Sequence, residues 1–221
     1  MKIWVLIPAY NEEKAIGSLL EHLKKKNLSL LVVDDGSSDD TYQIAKKNRA
    51  DVVLRNDKNL GKGYSLRKGI IYLLNNVDFD YLITMDADNQ HSTFDVDSFI
   101  QCAKEGCAFA VGNRMHHPYS MPFIRVLTNR FMSFIISLIT KQNIPDSQCG
   151  FRIIRRDVLE KINIETEKFE IESEILIKAA RNNFIIKSIP IRSIYFKNHI
   201  SKVHPVYDTL RFIRFITHIK K

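Results

Sequence analysis

Short apolar segments that alternate with helical patterns constrain the fold of this chain more than any other feature. Five apolar runs rich in strand-forming residues lie in the first half, at 2–7, 28–34, 51–55, 81–85 and 107–112. Between them apolar residues recur at helical spacing, as in the stretch from Ile16 to Leu23, and similar patterns cover 62–74 and 95–103. Strands separated by single helices predict an α/β fold with a mostly parallel sheet flanked by helices.

The second half of the chain is less regular. Its patterns predict helices at 122–140 and 171–180 and strands at 151–156 and 184–191, the last with Pro190 near an end or edge of the sheet. No repeat, low-complexity tract or Pro/Gly/Ser-rich linker divides the chain. We therefore expect a single domain over 1–221, with a regular half (1–112), a less regular part (113–202) and a basic amphipathic helix (203–221).

The balance of charge favours an anionic partner. The 221 residues include 33 Lys and Arg against 25 Asp and Glu, a net charge of +8, which suits a nucleic acid, a phosphorylated substrate or a membrane surface. The three cysteines form neither a disulfide framework nor a zinc motif, as expected of reduced thiols in the cytoplasm. We predict no signal peptide, and no transmembrane helix because the uncharged stretch 131–140 is shorter than the roughly 20 residues that span a bilayer.

Polar loops follow three of the predicted strands. PAYNEE (8–13) follows the first strand, DDGSSDD (34–40) the second and DADNQ (86–90) the fourth. The carboxyl ends of parallel strands lie at one edge of a sheet, and ligands of such folds bind there. The three loops therefore predict one site at that edge.

Asp86, Asp88 and Gln90 are candidate metal ligands. Two carboxylates two residues apart on a loop that leaves a strand can face one point, and Gln90 adds a neutral oxygen. Such oxygen ligands suit Mg²⁺ or Mn²⁺, which would neutralise a diphosphate leaving group. The alternative is a solvated loop that caps the next helix.

The other loops carry groups suited to a nucleoside or a phosphate. Asp35 can accept hydrogen bonds from a base or a ribose and Gly36 permits a tight turn, although turn chemistry alone explains both. Tyr10 can stack on a base and Glu12 can bind its polar edge, although Glu12 also suits a helix start. The NLGKG loop (59–63) lacks both nucleotide-binding glycine patterns, so Lys62 either contacts a phosphate or lies in a flexible loop.

The motifs together resemble a known family. VLIPAYNEE, VVDDGSSDDT, NLGKG, MDADNQ, GNR (112–114) and DSQCGFR (146–152) resemble the family 2 glycosyltransferases, and most closely the polyprenyl- and dolichyl-phosphate sugar synthases. The resemblance covers residues 3–156, with weaker matches at FEIESE (169–174), PI (190–191) and SK (201–202). It implies a GT-A fold in which residues 1–112 bind the nucleotide sugar and 113–202 bind the acceptor.

The resemblance also implies roles for individual residues. A UDP- or GDP-sugar and one divalent cation would bind the first half, and the catalytic group would be Asp88, Arg114 and Asp146. The donor site would comprise Pro8, Tyr10, Glu12, Val33, Asp35, Lys62, Asp86 and Ala87. The acceptor phosphate would meet Arg114, Arg125, Asn129, Lys197 and Lys202, with the donor diphosphate as the alternative partner of Arg114. Asp146 matches the family's active-site acid, which orients the acceptor or the donor sugar.

Such an enzyme would invert the configuration of the transferred sugar. A phosphomonoester is already anionic near neutral pH and barely needs a general base, so cations must bring the two anions together. The chain departs from the family pattern where Phe196 replaces an arginine and Asn129 replaces a serine. Lys197 or Arg192 would have to take the place of that arginine, although lysine lacks the bidentate fork.

Two amphipathic helices bear on where the protein acts. The first carries an apolar stripe beside Arg125 and Arg130, made of Phe131, Phe134, Ile135, Leu138 and Ile139. The last carries Arg211, Arg214, His218 and Lys221 on one side and Leu210, Ile213, Ile216 and Ile219 on the other. Each helix either lies in an anionic membrane interface or packs on the core. With a polyprenyl phosphate acceptor we expect a peripheral enzyme on the cytoplasmic face of the membrane, alone or with a membrane protein partner.

Two other functions stay open on the sequence. A saccharide hydroxyl acceptor, as in cell-wall or surface-glycan assembly, would need a true base, for which Asp146 is the candidate. A basic nucleic-acid-binding module agrees with the charge but lacks a recognised motif, and the acidic loops would repel a phosphate backbone.

Several polar residues have simpler interpretations. Glu170, Glu172 and Glu174 suit a helix start, where carboxylates complement the helix dipole, and the resemblance leaves one of them as an acceptor-side group. His91, His116 and His117 suit surface loops, and Cys149 suits core packing.

Overall fold

A computed structural model of the chain describes residues 1–90, 92–116, 118, 121–168, 170–192 and 205–219. Within these residues the strands are β1 (Ile3–Ala9), β2 (Ser29–Asp34), β3 (Val52–Arg55), β4 (Tyr81–Thr84), β5 (Phe109–Asn113), β6 (Arg152–Arg155) and β7 (Ile186–Pro190). The α-helices are α1 (Ile16–Lys24), α2 (Thr41–Lys47), α3 (Lys62–Asn76), α4 (Val96–Lys104), α5 (Phe123–Thr140), α6 (Arg156–Lys161), α7 (Glu170–Arg181) and α8 (Pro205–His218).

The seven strands form one sheet in the order β3-β2-β1-β4-β6-β5-β7. All neighbouring pairs are parallel except those of β6, which runs antiparallel to both β4 and β5. The predicted mostly parallel sheet flanked by helices is therefore confirmed. The insertion of β6 between β4 and β5 was not predicted, because a short apolar run such as Ile153–Ile154 does not encode strand direction. Arg156, expected at the end of that strand, instead begins α6.

Strand direction brings the polar loops to one edge of the sheet. The loops after β1, β2, β4 and β5 leave the carboxyl ends of parallel strands. The segment 146–151 precedes the antiparallel β6 and therefore reaches the same edge. The fold thus places all the motifs of the first 156 residues at the edge of the sheet formed by the carboxyl ends of its parallel strands.

The core fills both faces of the central strands. In α1 the predicted apolar face, from Ile16 to Leu23, is fully buried against the sheet, and each such side chain contributes roughly 1.5–3 kcal/mol. The three cysteines are buried and free. Burial raises the pKa of the Cys149 thiol to about 12, in agreement with its predicted packing role.

Helices α5 and α8 pack against each other and against α7. Only part of the predicted stripe of α5 faces the protein: Ile135 and Ile139 pack partly against the core, whereas Phe131, Phe134 and Leu138 are exposed. Within the described residues α5 is also the one helix long and apolar enough to cross a membrane by length and composition.

The predicted apolar side of α8 is confirmed at Ile216 and Ile219 but not at Ile213. Phe212 is buried and Phe215, Ile216 and Ile219 pack partly against the core, whereas Ile213 is exposed. Positions 212, 215, 216 and 219 follow the helical repeat as well as the predicted set does, so periodicity alone did not select between them.

Candidate active site

The loops after β1 and β2 are joined by hydrogen bonds. The backbone N–H of Asn11 donates to Ser37 Oγ at 3.0 Å, and Asn11 Oδ1 accepts from the backbone N–H of Ser38 at 2.9 Å. The backbone N–H of Glu12 donates to Thr41 Oγ1 at 2.8 Å. Asn11 has a φ of 54°, in the left-handed region that asparagine tolerates. The two loops therefore form a single rim beside Tyr10.

Asp35 shapes the NLGKG loop. Its buried carboxylate accepts hydrogen bonds from the backbone N–H groups of Leu60 (3.0 Å) and Gly61 (2.8 Å) and from Asn56 Nδ2 (2.8 Å). The loop packs so closely here that a Cβ on Gly36, where φ is 71°, would lie 2.5 Å from the backbone of Lys58. The turn predicted at Gly36 is present, and Asp35 fixes the segment that leads into α3.

The DADNQ loop forms a tight turn at the end of β4. Asp88 Oδ1 accepts from the backbone N–H of Gln90 at 3.0 Å, and Asn89 has a left-handed φ of 56°. Asn89 Nδ2 donates to Ser18 Oγ at 3.0 Å, which ties the loop to α1. No group of three or more His, Cys, Asp or Glu side chains in the described part of the chain could hold a metal ion. The predicted ligands are two carboxylates and one amide, so other oxygens would have to complete a coordination shell.

Lys62 bridges two carboxylates in the centre of the site. It is the first residue of α3, and its Nζ lies 2.6 Å from Asp86 Oδ1 and 2.9 Å from Glu172 Oε1. Burial alone lowers the pKa of Lys62, but the charges of Asp86 and Glu172 outweigh it and hold the pKa above its ordinary value. The structure therefore places this cation on the first aspartate of the DADNQ loop, in a fixed position.

Glu172 and Gly150 complete this centre, and sequence reasoning gave neither a defined place there. A Cβ on Gly150 would lie 2.8 Å from Lys62 Nζ, 3.0 Å from Asp86 Oδ2 and 3.0 Å from Glu172 Oε1. Only a glycine lets the backbone of the 146–151 loop approach the ion pairs this closely. The signals available in the sequence were the glycine of DSQCGFR and the second glutamate of FEIESE.

Asp146 holds Arg114 through a bidentate ion pair. Asp146 Oδ2 accepts from Arg114 Nε at 2.8 Å and from the Arg114 backbone N–H at 3.0 Å. Asp146 Oδ1 accepts from Arg114 Nη2 at 2.9 Å and from Asn129 Nδ2 at 2.8 Å. Burial alone raises the pKa of Asp146, but the charge of Arg114 and these hydrogen bonds outweigh it, so the pKa lies below its ordinary value.

This geometry argues against Asp146 as a general base. Its side chain is fully buried, both oxygens accept two hydrogen bonds, and a lowered pKa makes the carboxylate a weaker base. Its structural effect is to fix the position of the Arg114 guanidinium at the end of β5. Asn129, which also accepts from Ser133 Oγ at 2.9 Å, connects this pair to α5.

Arg152 is a buried residue that the sequence analysis did not single out. Its guanidinium donates to the backbone carbonyls of Cys149 (2.8 Å), Glu172 (2.6 Å) and Ser147 (2.8 Å). Arg152 therefore fastens the loop that carries Asp146 to the first turn of α7, which carries Glu172. Its position as the last residue of DSQCGFR was the only sequence signal.

The remaining predicted residues fall into three groups. Pro8 and Val33 are buried, paired neighbours at the ends of β1 and β2, and Ala87 is also buried, so Val33 and Ala87 can offer a ligand only backbone atoms. Arg125 is half-buried in the first turn of α5. Lys197 and Lys202 lie outside the described residues, as do His91 and His117.

The architecture has clear counterparts among solved structures. A glucosyl-3-phosphoglycerate synthase from Mycobacterium tuberculosis, crystallised with Mn²⁺, UDP and glucosyl-3-phosphoglycerate, superposes with a TM-score of 0.71 at 18% identity. The match covers 98% of this chain and 77% of that one. The mixed sheet with its polar loops at one edge is therefore the GT-A fold, as predicted.

Comparison of sequences identifies the family. The family described as Glycosyl transferase family 2 matches residues 4–163. An uncharacterized protein from Methanocaldococcus jannaschii is 36% identical over 208 residues, which cover 91% of this chain and 85% of that protein. A UDP-N-acetylglucosamine--dolichyl-phosphate N-acetylglucosaminyltransferase from Methanococcus voltae is 31% identical over 216 residues, or 87% and 86% of the two chains. The chain belongs to glycosyl transferase family 2 and is a glycosyltransferase.

Proposed function

We propose that this enzyme transfers a sugar from a nucleotide-diphosphate sugar to a polyprenyl phosphate such as dolichyl or undecaprenyl phosphate. The observation that carries the proposal is the buried Asp146, whose oxygens are occupied by Arg114 and Asn129. A hydroxyl acceptor needs a base to remove its proton, whereas a phosphate is already anionic and needs a fixed cation. The Methanococcus voltae relative, a dolichyl-phosphate N-acetylglucosaminyltransferase, supports the same choice.

For the donor we propose the edge formed by the first three motif loops. The nucleoside would lie against Pro8, Tyr10, Glu12 and the backbone at Val33 and Ala87, beside the loop that Asp35 fixes. Lys62 would balance the negative charge of Asp86 and of the diphosphate, since it is held 2.6 Å from Asp86 Oδ1. The base, uracil or guanine, would be selected by backbone atoms around Tyr10 and Val33.

For the metal we propose Asp86, Asp88 and Gln90 as the protein ligands of Mg²⁺ or Mn²⁺. Their hard oxygen atoms fit either ion, and two carboxylates leave coordination positions for a diphosphate. When bound, the cation would neutralise the leaving diphosphate. The Mycobacterium tuberculosis synthase, which has the same fold, was crystallised with Mn²⁺ and UDP.

For the acceptor we propose that Arg114 and Arg125 receive the phosphate, together with Lys197 and Lys202 from outside the described residues. Asn129, predicted as a further phosphate contact, would act through Asp146, because its buried amide already bonds Asp146 and Ser133. A phosphate oxygen would attack C1 of the sugar, and the bond from C1 to the diphosphate oxygen would break with its electron pair. The new bond forms on the opposite face of the sugar, so the configuration inverts. Arg114 requires no movement to serve this step, because Asp146 already fixes its guanidinium.

The proposed acceptor also sets where the enzyme works. A nucleotide sugar is soluble and a polyprenyl phosphate lies in the bilayer, so the enzyme would act as a peripheral protein on the cytoplasmic face. The sugar transferred, whether mannose, glucose or another hexose, would be set by the donor site.

The test is transfer of label into lipid. The full chain would be incubated with Mn²⁺ or Mg²⁺, undecaprenyl or dolichyl phosphate in detergent, and a panel of radiolabelled UDP- and GDP-sugars. We expect label in the lipid phase, lost in Asp88→Ala and kept in Asp97→Ala, a control on the exposed side of α4. Metal-dependent hydrolysis of the donor without lipid label, or label in an added saccharide instead, would overturn the lipid acceptor.

A further inference from the structure

One face of α5 exposes large apolar side chains along the whole helix. From Ile124 onward these residues recur every three or four positions, and with Phe123 they share one side of the helix. We call them the outer face of α5: Phe123 (81% exposed), Ile124 (50%), Leu127 (53%), Phe131 (45%), Phe134 (61%) and Leu138 (62%). A continuous exposed stripe of this kind marks an interaction surface in a soluble protein.

The opposite side of α5 is fixed to the protein by polar contacts. Asn129 donates to Asp146, and Ser133 Oγ donates to Asn129 Oδ1 and accepts from the backbone N–H of Ser147 at 2.8 Å. Ile136 is fully buried on the same side. The helix therefore cannot turn its outer face inward without breaking the network that holds Arg114.

We propose that the outer face of α5 lies in the interfacial region of an anionic membrane. This inference rests on the proposed function and deepens it, because the helix that presents the apolar face also carries Asn129, which contacts the Arg114–Asp146 pair. A lipid whose phosphate binds at that pair extends an apolar chain toward a bilayer. Docking through the same helix would keep the acceptor site next to the surface from which the lipid comes.

The charges around the outer face fit an anionic bilayer. No Asp or Glu occurs from Met115 to Pro145, whereas Arg130 and Lys141 on and just after α5 are exposed. Apolar side chains flanked by cations are the pattern of helices that lie in the headgroup region. In a symmetric dimer formed through this face, the cations of one α5 would meet the other α5, which carries no acidic side chain. The like charges would repel each other.

Helix α8, which packs beside α5, also exposes apolar and basic side chains. In its described part Ile213 (41% exposed) and Arg214 face outward while Phe212 is buried. The helix that packs beside α5 thus exposes one apolar and one basic side chain. The exposed apolar side chains can be buried in the membrane interface, and the basic side chains can attract anionic lipids. Interfacial helices bind membranes through these two contributions.

The experiment is sedimentation of the full chain with vesicles. Vesicles of phosphatidylcholine alone and with about one third phosphatidylglycerol would be compared at low and high salt. The test variant is Phe134→Ser with Leu138→Ser, and the matched control is Ile185→Ser, an apolar residue 72% exposed before β7. We expect wild type and control to bind anionic vesicles, and the test variant to lose about tenfold or more in partitioning, the effect of removing two inserted apolar side chains.

Further measurements separate the outcomes. Analytical ultracentrifugation without lipid should show monomers of all three proteins, and circular dichroism should show equal folding. Sugar transfer to a short-chain, water-soluble prenyl phosphate should be equal in the test variant and wild type. Equal vesicle binding by the test variant, or a wild-type dimer that this variant dissociates, would overturn the membrane face. Absence of transfer to any lipid by a wild type that still binds vesicles would overturn only the proposed function.

Discussion

Replacement of Asp146 by asparagine tests whether this carboxylate acts by holding Arg114. Asparagine preserves the shape but turns one acceptor oxygen into an NH₂ group. Each oxygen of Asp146 accepts two hydrogen bonds, one pair from the Arg114 backbone N–H and Nε and the other from Arg114 Nη2 and Asn129 Nδ2. Whichever oxygen is replaced, the two N–H groups that donated to it meet the new NH₂ group, which cannot accept their hydrogen bonds. Arg114 also loses the negative charge that balances its own.

The cost follows from these contacts. Two hydrogen bonds that involve a charged group contribute about 1.5–3 kcal/mol each, and removal of one partner of a buried pair costs about 3–5 kcal/mol. Asp146 is fully buried and the Arg114 side chain is only 18% exposed, so solvent screens the pair little. We expect Asp146→Asn to lower the free energy of unfolding by about 3–5 kcal/mol. For a domain of this size the melting temperature should fall by roughly 6–20 °C.

The assay combines unfolding with kinetics. Denaturant and thermal unfolding would be measured for wild type, Asp146→Asn, Arg114→Met and the double variant, with Asp97→Asn as an exposed control. The two substitutions should be non-additive by about 2 kcal/mol or more, because either one breaks the same pair. In lipid transfer, Asp146→Asn should raise the KM for the acceptor phosphate more than the KM for the donor, because Arg114 is displaced.

A different pattern would refute this reasoning. If Asp146→Asn has wild-type stability, is additive with Arg114→Met, and abolishes kcat while acceptor affinity is unchanged, then Asp146 acts on the substrate as a base. That result would favour a saccharide hydroxyl acceptor over a lipid phosphate.

Three further perturbations test the rest of the site. Folding lowers the pKa of Asp146, so the ionised carboxylate stabilises the folded protein fully above about pH 4, the ordinary pKa of an aspartate. This stabilisation is lost as the pH falls further. The difference in melting temperature between wild type and Asp146→Asn should therefore narrow below about pH 4. Gly36→Ala should cost about 2 kcal/mol or more in denaturant unfolding, because φ is positive and the new Cβ meets the backbone of Lys58. Arg152→Met should cost about 3 kcal/mol, because three buried carbonyls lose their donor.

Each of these results has a contrary outcome that would count against the structure. A constant difference in melting temperature down to pH 3 would show that folding does not perturb the titration of Asp146. A Gly36→Ala variant as stable as wild type would mean that the turn has a different backbone conformation. An Arg152→Met variant with unchanged stability would mean that the carbonyls of Cys149, Ser147 and Glu172 find other donors.

The first half of the fold was predictable because its elements repeat a simple rule. A buried parallel strand is a short apolar run, and the polar loop after it marks the carboxyl edge, so the strands at 2–7 and 28–34 were predicted from pattern alone. The first strand runs two residues further than predicted, to Ala9, through residues assigned to its loop. The direction of β6 was not predictable, because its antiparallel pairing depends on the two strands between which it inserts.

The centre of the site was less predictable because it is assembled from distant segments. Lys62, Asp86 and Glu172 come from three parts of the chain, and their ion pairs depend on how closely the backbone of Gly150 approaches. No local pattern encodes such a contact. The resemblance to a family placed Asp86 and Lys62 in the donor site, but it gave no ion pair between them and only a general acceptor-side role for one glutamate of FEIESE.

The structure explains the departure from the family pattern at Asn129. On the sequence alone, asparagine in place of serine is only a departure from the family pattern. In the fold Asn129 is buried, donates to Asp146 and accepts from Ser133, so it supports the carboxylate that holds Arg114. A serine here would have to reach Asp146 with a shorter side chain, and asparagine supplies both the donor and the acceptor that this position requires. Asn129 therefore stabilises the cation that a phosphate acceptor needs, and it does so from the same helix that exposes an apolar face to its surroundings.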